Sequence, residues 1–461
     1  MAARIVIVGT GPAGVRAAQA LVQAGHRPVV VDEGRRDGGQ IYRRQPEGFT
    51  RSYETLYGTE ARRAEALHRT FDALKGRIDY LPETLVWNIT PGEIHLVAGE
   101  RYRALAFDAL IVCSGATDRL MPVKGWQYAG TYSLGGAQIA LKSQGCAIGS
   151  RPILLGSGPL LYLLAAQYVK AGANLVAVLD TSTAREHYAA LPAMLAVPSA
   201  LVKGLKLLRV LRKARVPVHC GVRPLEILGT AEEGVRGVVA EQADGSRLEL
   251  RCDAVAMGYH LRPETQLADL AGCAFEFDAA GRQWLPKVDG DGRSSVEGVY
   301  LAGDGARVRG ADAAERAGRM AALAVLHDLS VQTNGGPGPG VAQLRKALVR
   351  YTRFADGLRR AFPWPEHEAA RLPDDTIVCR CEAITAGALR EVVRATGASE
   401  ANRAKAFSRV GMGRCQGRYC GHAAAEIIAA AAGVPLVQVG RLRSQAPVKP
   451  LPMAIVEDAE A

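Results

Sequence analysis

The chain has 461 residues, 48% apolar and 22% charged, with a net charge of +11. That length exceeds one ordinary core, since single cores stop growing at roughly 250–300 residues, and it implies two large domains plus a small one. The basic residues are spread without a dominant block, which argues against a nucleic-acid binder and for anionic nucleotides or an acidic partner. No run of about 20 uninterrupted apolar residues offers a membrane span. Met1 to Arg4 lead straight into the apolar Ile5 to Val8, so no leader is visible and a cytoplasmic location is expected.

The first elements are carried by "RIVIVGTGPAGVRAAQALVQAGHRPVVVDEG", a strand, glycine-rich turn, helix and second strand. Gly9 permits the turn, Gly11 lets the backbone approach a pyrophosphate, and Gly14 allows close packing of helix on strand. Pro12 and Ala13 open the helix, whose free N–H groups and positive dipole end face the anion. Asp32 ends the second strand, where a carboxylate accepts from ribose hydroxyls, and its neighbour Glu33 can share that role.

Further along, "GGQIYR" supplies Gly39 and Gln40, "FDALIVCSGATDRLMPVKG" supplies Gly115, and "GVYLAGDGA" supplies Gly303 and Asp304. Asp304 is expected at a strand's carboxyl end, free to hold a ribityl hydroxyl. With these stretches, residues 1–328 resemble the two-dinucleotide-binding-domain flavoproteins of the thioredoxin reductase and glutathione reductase class. The resemblance implies FAD, or another ADP-containing nucleotide such as ATP, across Gly9, Gly11, Gly14, Asp32 and Asp304.

A second unit begins at "RPILLGSGPLLYLLAAQYVKAGANLVAVLD", with Gly156 and Gly158 in the first two glycine roles and Asp180 ending the next strand. Leu161 takes the third glycine position, which is expected to push the helix from the strand and disturb a pyrophosphate seat. An NAD(P) site and a ligand-free Rossmann scaffold both remain open. The expected division is residues 1–145 with 285–328 for the first domain and 146–284 for the second. Cys113, Cys146, Cys220, Cys252 and Cys273 are isolated in apolar runs and read as buried hydrophobes, with no vicinal pair for disulfide reduction.

Residues 329–375 read as a linker with a short helix, beginning with the Gly- and Pro-rich Ser330 to Gln343. Cys379, Cys381, Cys415 and Cys420 then offer four thiolates within one compact module. Four thiolates suit a 2Fe-2S cluster or a structural zinc, although pairs with one intervening residue are cramped for zinc. The stretch "CRCEAITAGALREVV...GMGRCQGRYCGH" resembles the bacterioferritin-associated-ferredoxin-like 2Fe-2S domain over residues 376–430, leaving 431–461 as a tail extended over a surface. The fold class is therefore α/β, with two Rossmann-like domains and a small helical C-terminal 2Fe-2S domain.

The whole order of modules resembles the alpha-type subunits of the opine oxidase, D-hydroxyproline dehydrogenase and hydrogen cyanide synthase group, and more distantly the alpha subunit of heterotetrameric sarcosine oxidase. That resemblance implies an FAD-containing beta subunit of the D-amino-acid-oxidase type, a small third subunit, and an FMN at a subunit interface. Routing electrons into a cluster favours a quinone or cytochrome chain over oxygen as the external acceptor, through which the protein would associate with a membrane. The alternatives are a free-standing NAD(P)H-dependent FAD/2Fe-2S reductase and a nucleotide-binding scaffold. His260 and His422 are candidates for tuning a flavin or cluster, against the blander reading of structural histidines.

Overall fold

A computed structural model describes residues 3–48, 51–331, 340–454 and 456–457. Most of the Gly- and Pro-rich linker expected from the sequence lies outside the described residues.

The apolar runs become two parallel five-stranded sheets. In the first, Ile5–Val8 lies between Val29–Val31 and Ala109–Val112, flanked by Asp79–Leu81 and Val299–Leu301. Strands buried on both faces need apolar side chains throughout, and all four residues of Ile5–Val8 are buried. Helices Pro12–Gln23 and Ala311–Val331 pack on one face so closely that a Cβ at Gly318 would stand 1.9 Å from the Ala13 carbonyl oxygen.

The second sheet runs Val218–Cys220, Ala177–Asp180, Pro152–Ser157, Ala254–Tyr259 and Thr131–Ser133. Thr131 pairs with Val255 in this sheet, so the boundary expected at 145 lies earlier. Conversely, Leu267, Ala268 and Cys273 join the core of the first domain, so the return crossing precedes the expected 285. A short antiparallel ribbon of Ala116–Asp118 with Leu261–Pro263 marks both crossings.

Beyond the second sheet, the supposed short helix is the 21-residue Val341–Ala361. It crosses back over the first domain through Leu348, which packs with Ala313, Ala317 and Met320. The C-terminal module closes around helices Ala386–Thr396, Ala401–Ser408 and Gly421–Ala432, with Leu389, Val393, Ile427 and Ile428 in its core. The described part of the tail adds Val456–Glu457 to the edge of Arg101–Ala106 and buries Val448.

Candidate functional site

The first glycine loop follows from three close approaches. A Cβ at Gly9 would lie 2.4 Å from the Cys113 carbonyl oxygen, one at Gly14 only 1.7 Å from the Gly9 oxygen, and one at Gly39 2.9 Å from Gly11 Cα. Gly11 differs. Its backbone is extended, with φ −71° and ψ −174°, and a Cβ there would meet nothing nearer than Gly39 Cα at 3.7 Å. Protein packing therefore does not require a glycine at Gly11, whereas a phosphate seated on the helix N-terminus does. Gly115, with φ 74°, likewise faces open space.

The two acids at the end of the second strand are placed differently. Asp32 accepts from Thr10 N and Thr10 Oγ1, both at 2.5 Å, and from Gly34 N at 2.6 Å, so both its oxygens brace the loop. Burial pushes its carboxyl up, against those three bonds. Glu33 stands at the surface, paired with Lys449 of the tail. At the other end, Asp304 accepts from Arg309 N and Gly310 N through Oδ1 alone, at 2.8 and 3.1 Å. The arrangement fits an ADP-containing nucleotide: an open helix N-terminus over Gly11, with Pro12 and Ala13 in its first turn, and a carboxylate with a free oxygen at Asp304.

The second loop is crowded by residues of the chain itself. Gly156 and Gly158 keep the turn, with φ 130° and 110°, but a Cβ at Gly158 would touch the backbone and ring of His260 at 3.3–3.4 Å. His260 has φ 61° and its Nε2 lies 2.8 Å from the Phe362 carbonyl oxygen. The Phe362 ring packs on His260, on Tyr162 and, at 4.8 Å, on His187. Asp180 is fully buried and accepts from Tyr162 Oη, Ser182 N and Ser182 Oγ. Leu161 is also fully buried, in the core with Leu154, Leu164 and Tyr168.

The four late cysteines converge. Cys420 contacts both Cys379 and Cys415, and Cys415 contacts Cys381, so the sulfurs form one connected chain. The Cys420 thiol, opposed by burial, and then the N–H groups of Gly411, Glu382 and Cys381 lower Cys379 to about 6. Cys415 is lowered to about 5 by the Cys420 thiol, again against burial, and by Tyr419 N–H, the Cys381 thiol and Gly417 N–H. Burial raises Cys381, while the bonds to Cys379 and Cys415, with burial, raise Cys420. The glycines serve this approach: a Cβ at Gly413 would lie 2.2 Å from Cys381 Cβ. Among the described residues no three His, Cys, Asp or Glu side chains meet the geometry of a single-ion site. Four thiols in contact, ringed by N–H donors, suit the sulfur ligation of a 2Fe-2S cluster.

The other five cysteines divide. Cys113, Cys252 and Cys273 are buried as expected, but Cys146 and Cys220 are exposed: Cys220 ends the strand Val218–Cys220, and Cys146 lies in the loop three residues beyond the helix Leu134–Ser143. His422 is kept well below its ordinary value by burial and by Arg119 and Arg262, and its ring faces Trp364.

Sequence reasoning missed what joins the two sites. Glu264 follows the antiparallel ribbon. Its N–H donates to the Gly115 carbonyl at 3.0 Å and its own carbonyl accepts from Ser114 Oγ at 2.6 Å. Its carboxylate accepts from Arg418 Nε at 2.8 Å, and Arg418 Nη1 lies 3.3 Å from the Cys415 carbonyl oxygen. Gln266 adds a second tie, donating to the Gln416 carbonyl at 2.8 Å. The ribbon's pairing across the chain carries no local signal.

The pyridine nucleotide-disulphide oxidoreductase model matches residues 3–321, and a BFD-like [2Fe-2S] binding domain model matches residues 377–430. The chain belongs to the pyridine nucleotide-disulphide oxidoreductase family. It is an oxidoreductase of that family, with a nucleotide-binding flavoprotein body and a C-terminal 2Fe-2S domain. The opine oxidase A-subunit of Rhizobium meliloti is 37% identical over 98% of this chain and 86% of its own length. Hydrogen cyanide synthase subunit HcnB of Pseudomonas aeruginosa is 31% identical over 99% of this chain and 98% of its own. L-proline dehydrogenase from P. horikoshii shares the fold, with a TM-score of 0.70 at 18% identity over 98% of this chain and 79% of that one. Among the described residues no helix is long and apolar enough to cross a membrane.

Proposed function

We propose that this chain is the electron-relay subunit of a multi-subunit dehydrogenase that oxidises the C–N bond of an amino or imino acid, an opine or hydroxyproline being the favoured substrates. The substrate is oxidised in an FAD-containing partner of the D-amino-acid-oxidase type. The chain accepts those electrons, through an FMN held at the subunit interface, and delivers them to an external acceptor such as a quinone or cytochrome chain. Bound flavin and cluster supply the electron-carrying chemistry, and the protein supplies position and electrostatics.

One observation carries this reading: Glu264 ties the loop at Gly115 directly to the cysteine loop at Arg418, and the crowding of the second glycine turn by His260, itself held by Phe362, supports it. A free-standing NAD(P)H reductase needs that seat open. At the first loop, Asp32 Oδ1 accepts only from Gly34 N and keeps a lone pair for a ribose hydroxyl, a role its neighbour Glu33 shares. The names of the relatives, subunits of opine oxidase and of hydrogen cyanide synthase, support a subunit role on C–N substrates.

The test is the absorbance and electron paramagnetic resonance spectrum of the chain, alone and co-expressed with its genomic neighbour. Amino-acid-dependent reduction of the cluster in the co-expressed sample only is expected. Flavin bleached by NADH or NADPH in the chain alone would overturn the assignment.

A further inference from the structure

The second domain carries an uncommon surface. Among the described residues, thirteen large apolar side chains are exposed, and six of them, Tyr188, Leu191, Leu195, Val202, Leu205 and Leu208, fall within one pair of consecutive helices and their link. Its arms are Ala184–Met194 and Pro198–Lys213. Val202, Leu205 and Leu208 follow one another at three-residue intervals, which places them along one side of the second arm, and they are 50, 66 and 43% exposed. The helix pair is not loose. Ala190 and Leu211 anchor it in the core, Lys203 pairs with Glu60 of the first domain at 2.6 Å, and Arg350 donates to the Ala196 carbonyl at its bend.

Its charge is one-sided. The two arms carry six Lys or Arg residues against a single acid, Glu186, and that acid is engaged in capping the first arm with Thr183. Lys206, Arg209 and Lys213 are interleaved with the exposed leucines of the second arm. That interleaving distinguishes the kinds of partner. The centre of a protein–protein interface is depleted of charged residues, lysine above all. A helix lying in a lipid headgroup layer tolerates cations beside its apolar stripe, because long basic side chains reach the phosphates while leucines enter the acyl boundary.

We propose that the exposed stripe of Pro198–Lys213 is a docking surface for an anionic phospholipid bilayer, holding the protein at the membrane face through Leu205 and Leu208 and through the neighbouring Lys206 and Arg209. The proposal is independent of the relay reading, because binding to lipid requires no electron transfer.

Flotation of the full chain, and of its complex with the partner subunit, on vesicles of equal phosphatidylglycerol and phosphatidylcholine tests it. Both are expected to float, to release at high salt, and to float poorly on pure phosphatidylcholine. The pair Lys206→Glu and Arg209→Glu should weaken binding roughly tenfold, as should Leu205→Ser with Leu208→Ser. Both pairs are exposed positions, and unchanged melting and iron content would confirm that the fold is intact. Failure of the wild-type chain to float, or indifference of binding to all four substitutions, overturns the proposal. So does flotation of the isolated chain but not of the complex, which would assign this surface to the partner subunit.

Discussion

Glu264 and Arg418 are 154 residues apart in sequence and meet at 2.8 Å, in a pair whose two side chains are 15% and 11% exposed. Burial raises the Glu264 carboxyl, but Arg262 and Arg418 outweigh it and hold it below the ordinary 4.5. The backbone of one partner grips the nucleotide loop, and the other sits between two cluster cysteines. The pair thus fixes one site relative to the other.

Glu264→Gln should therefore act on both sites. It leaves two buried guanidinium groups without their counter-charge, which costs about 3 kcal/mol of stability. The wild-type contribution is present above the unfolded carboxyl value and is lost as pH falls through the lowered folded value. Chemical denaturation at neutral pH checks the loss. Stopped-flow absorbance should show slower electron arrival at the cluster with unchanged iron content; an unchanged rate would confine the pair to a structural role.

Gly11→Ala and Gly14→Ala should separate ligand from fold. A methyl at Gly11 enters open space, so the protein should fold and lose its nucleotide. A methyl at Gly14 collides with the Gly9 carbonyl, so the chain should fail to accumulate as folded protein. Nucleotide released on heat denaturation, measured beside the melting curve, distinguishes the two. Full nucleotide content in Gly11→Ala would sink the assignment of the first loop.

Cys415→Ala should remove the cluster while substrate-driven flavin reduction in the partner subunit survives, so acceptor turnover falls at least a hundredfold. Cys220→Ser, exposed and away from the four ligands, should keep full iron content. Normal acceptor turnover by the iron-free variant would place the cluster off the path.

Much of this was legible because it is local. Strand, turn and helix around Gly9 lie within one short stretch, and the cysteine spacing announces its module. What was hidden depends on long-range placement. Asp32 and Glu33 are adjacent, and only the folded loop shows that Thr10 and Gly34 engage the first while Lys449 of the tail pairs with the second. Gly156, Gly158 and Asp180 read as a nucleotide seat, but the residues that close it come from about 100 and 200 positions away. Apolar neighbours said little about Cys146 and Cys220, because burial at an element's end depends on which turn follows it.

His260 makes the closed second seat measurable. Burial, assisted by Arg119 and Arg359 and opposed by the Phe362 carbonyl, lowers its imidazole from 6.5 to about 4. Between those values the unfolded chain binds a proton that the native chain refuses. Stability should then fall as pH drops through this window, by up to ~1.4 kcal/mol per pH unit and roughly 3 kcal/mol in all, and level off below it. His260→Asn keeps a residue that tolerates φ 61° and removes the titrating ring. Its absolute stability should drop by about 1 kcal/mol with the lost bond to Phe362. Its profile between pH 4 and 6.5 should be flatter than the parent's by that one-proton slope. Urea unfolding across this range checks it. Equal slopes in parent and variant would mean that the ring is solvated in the folded protein and that the second seat is open.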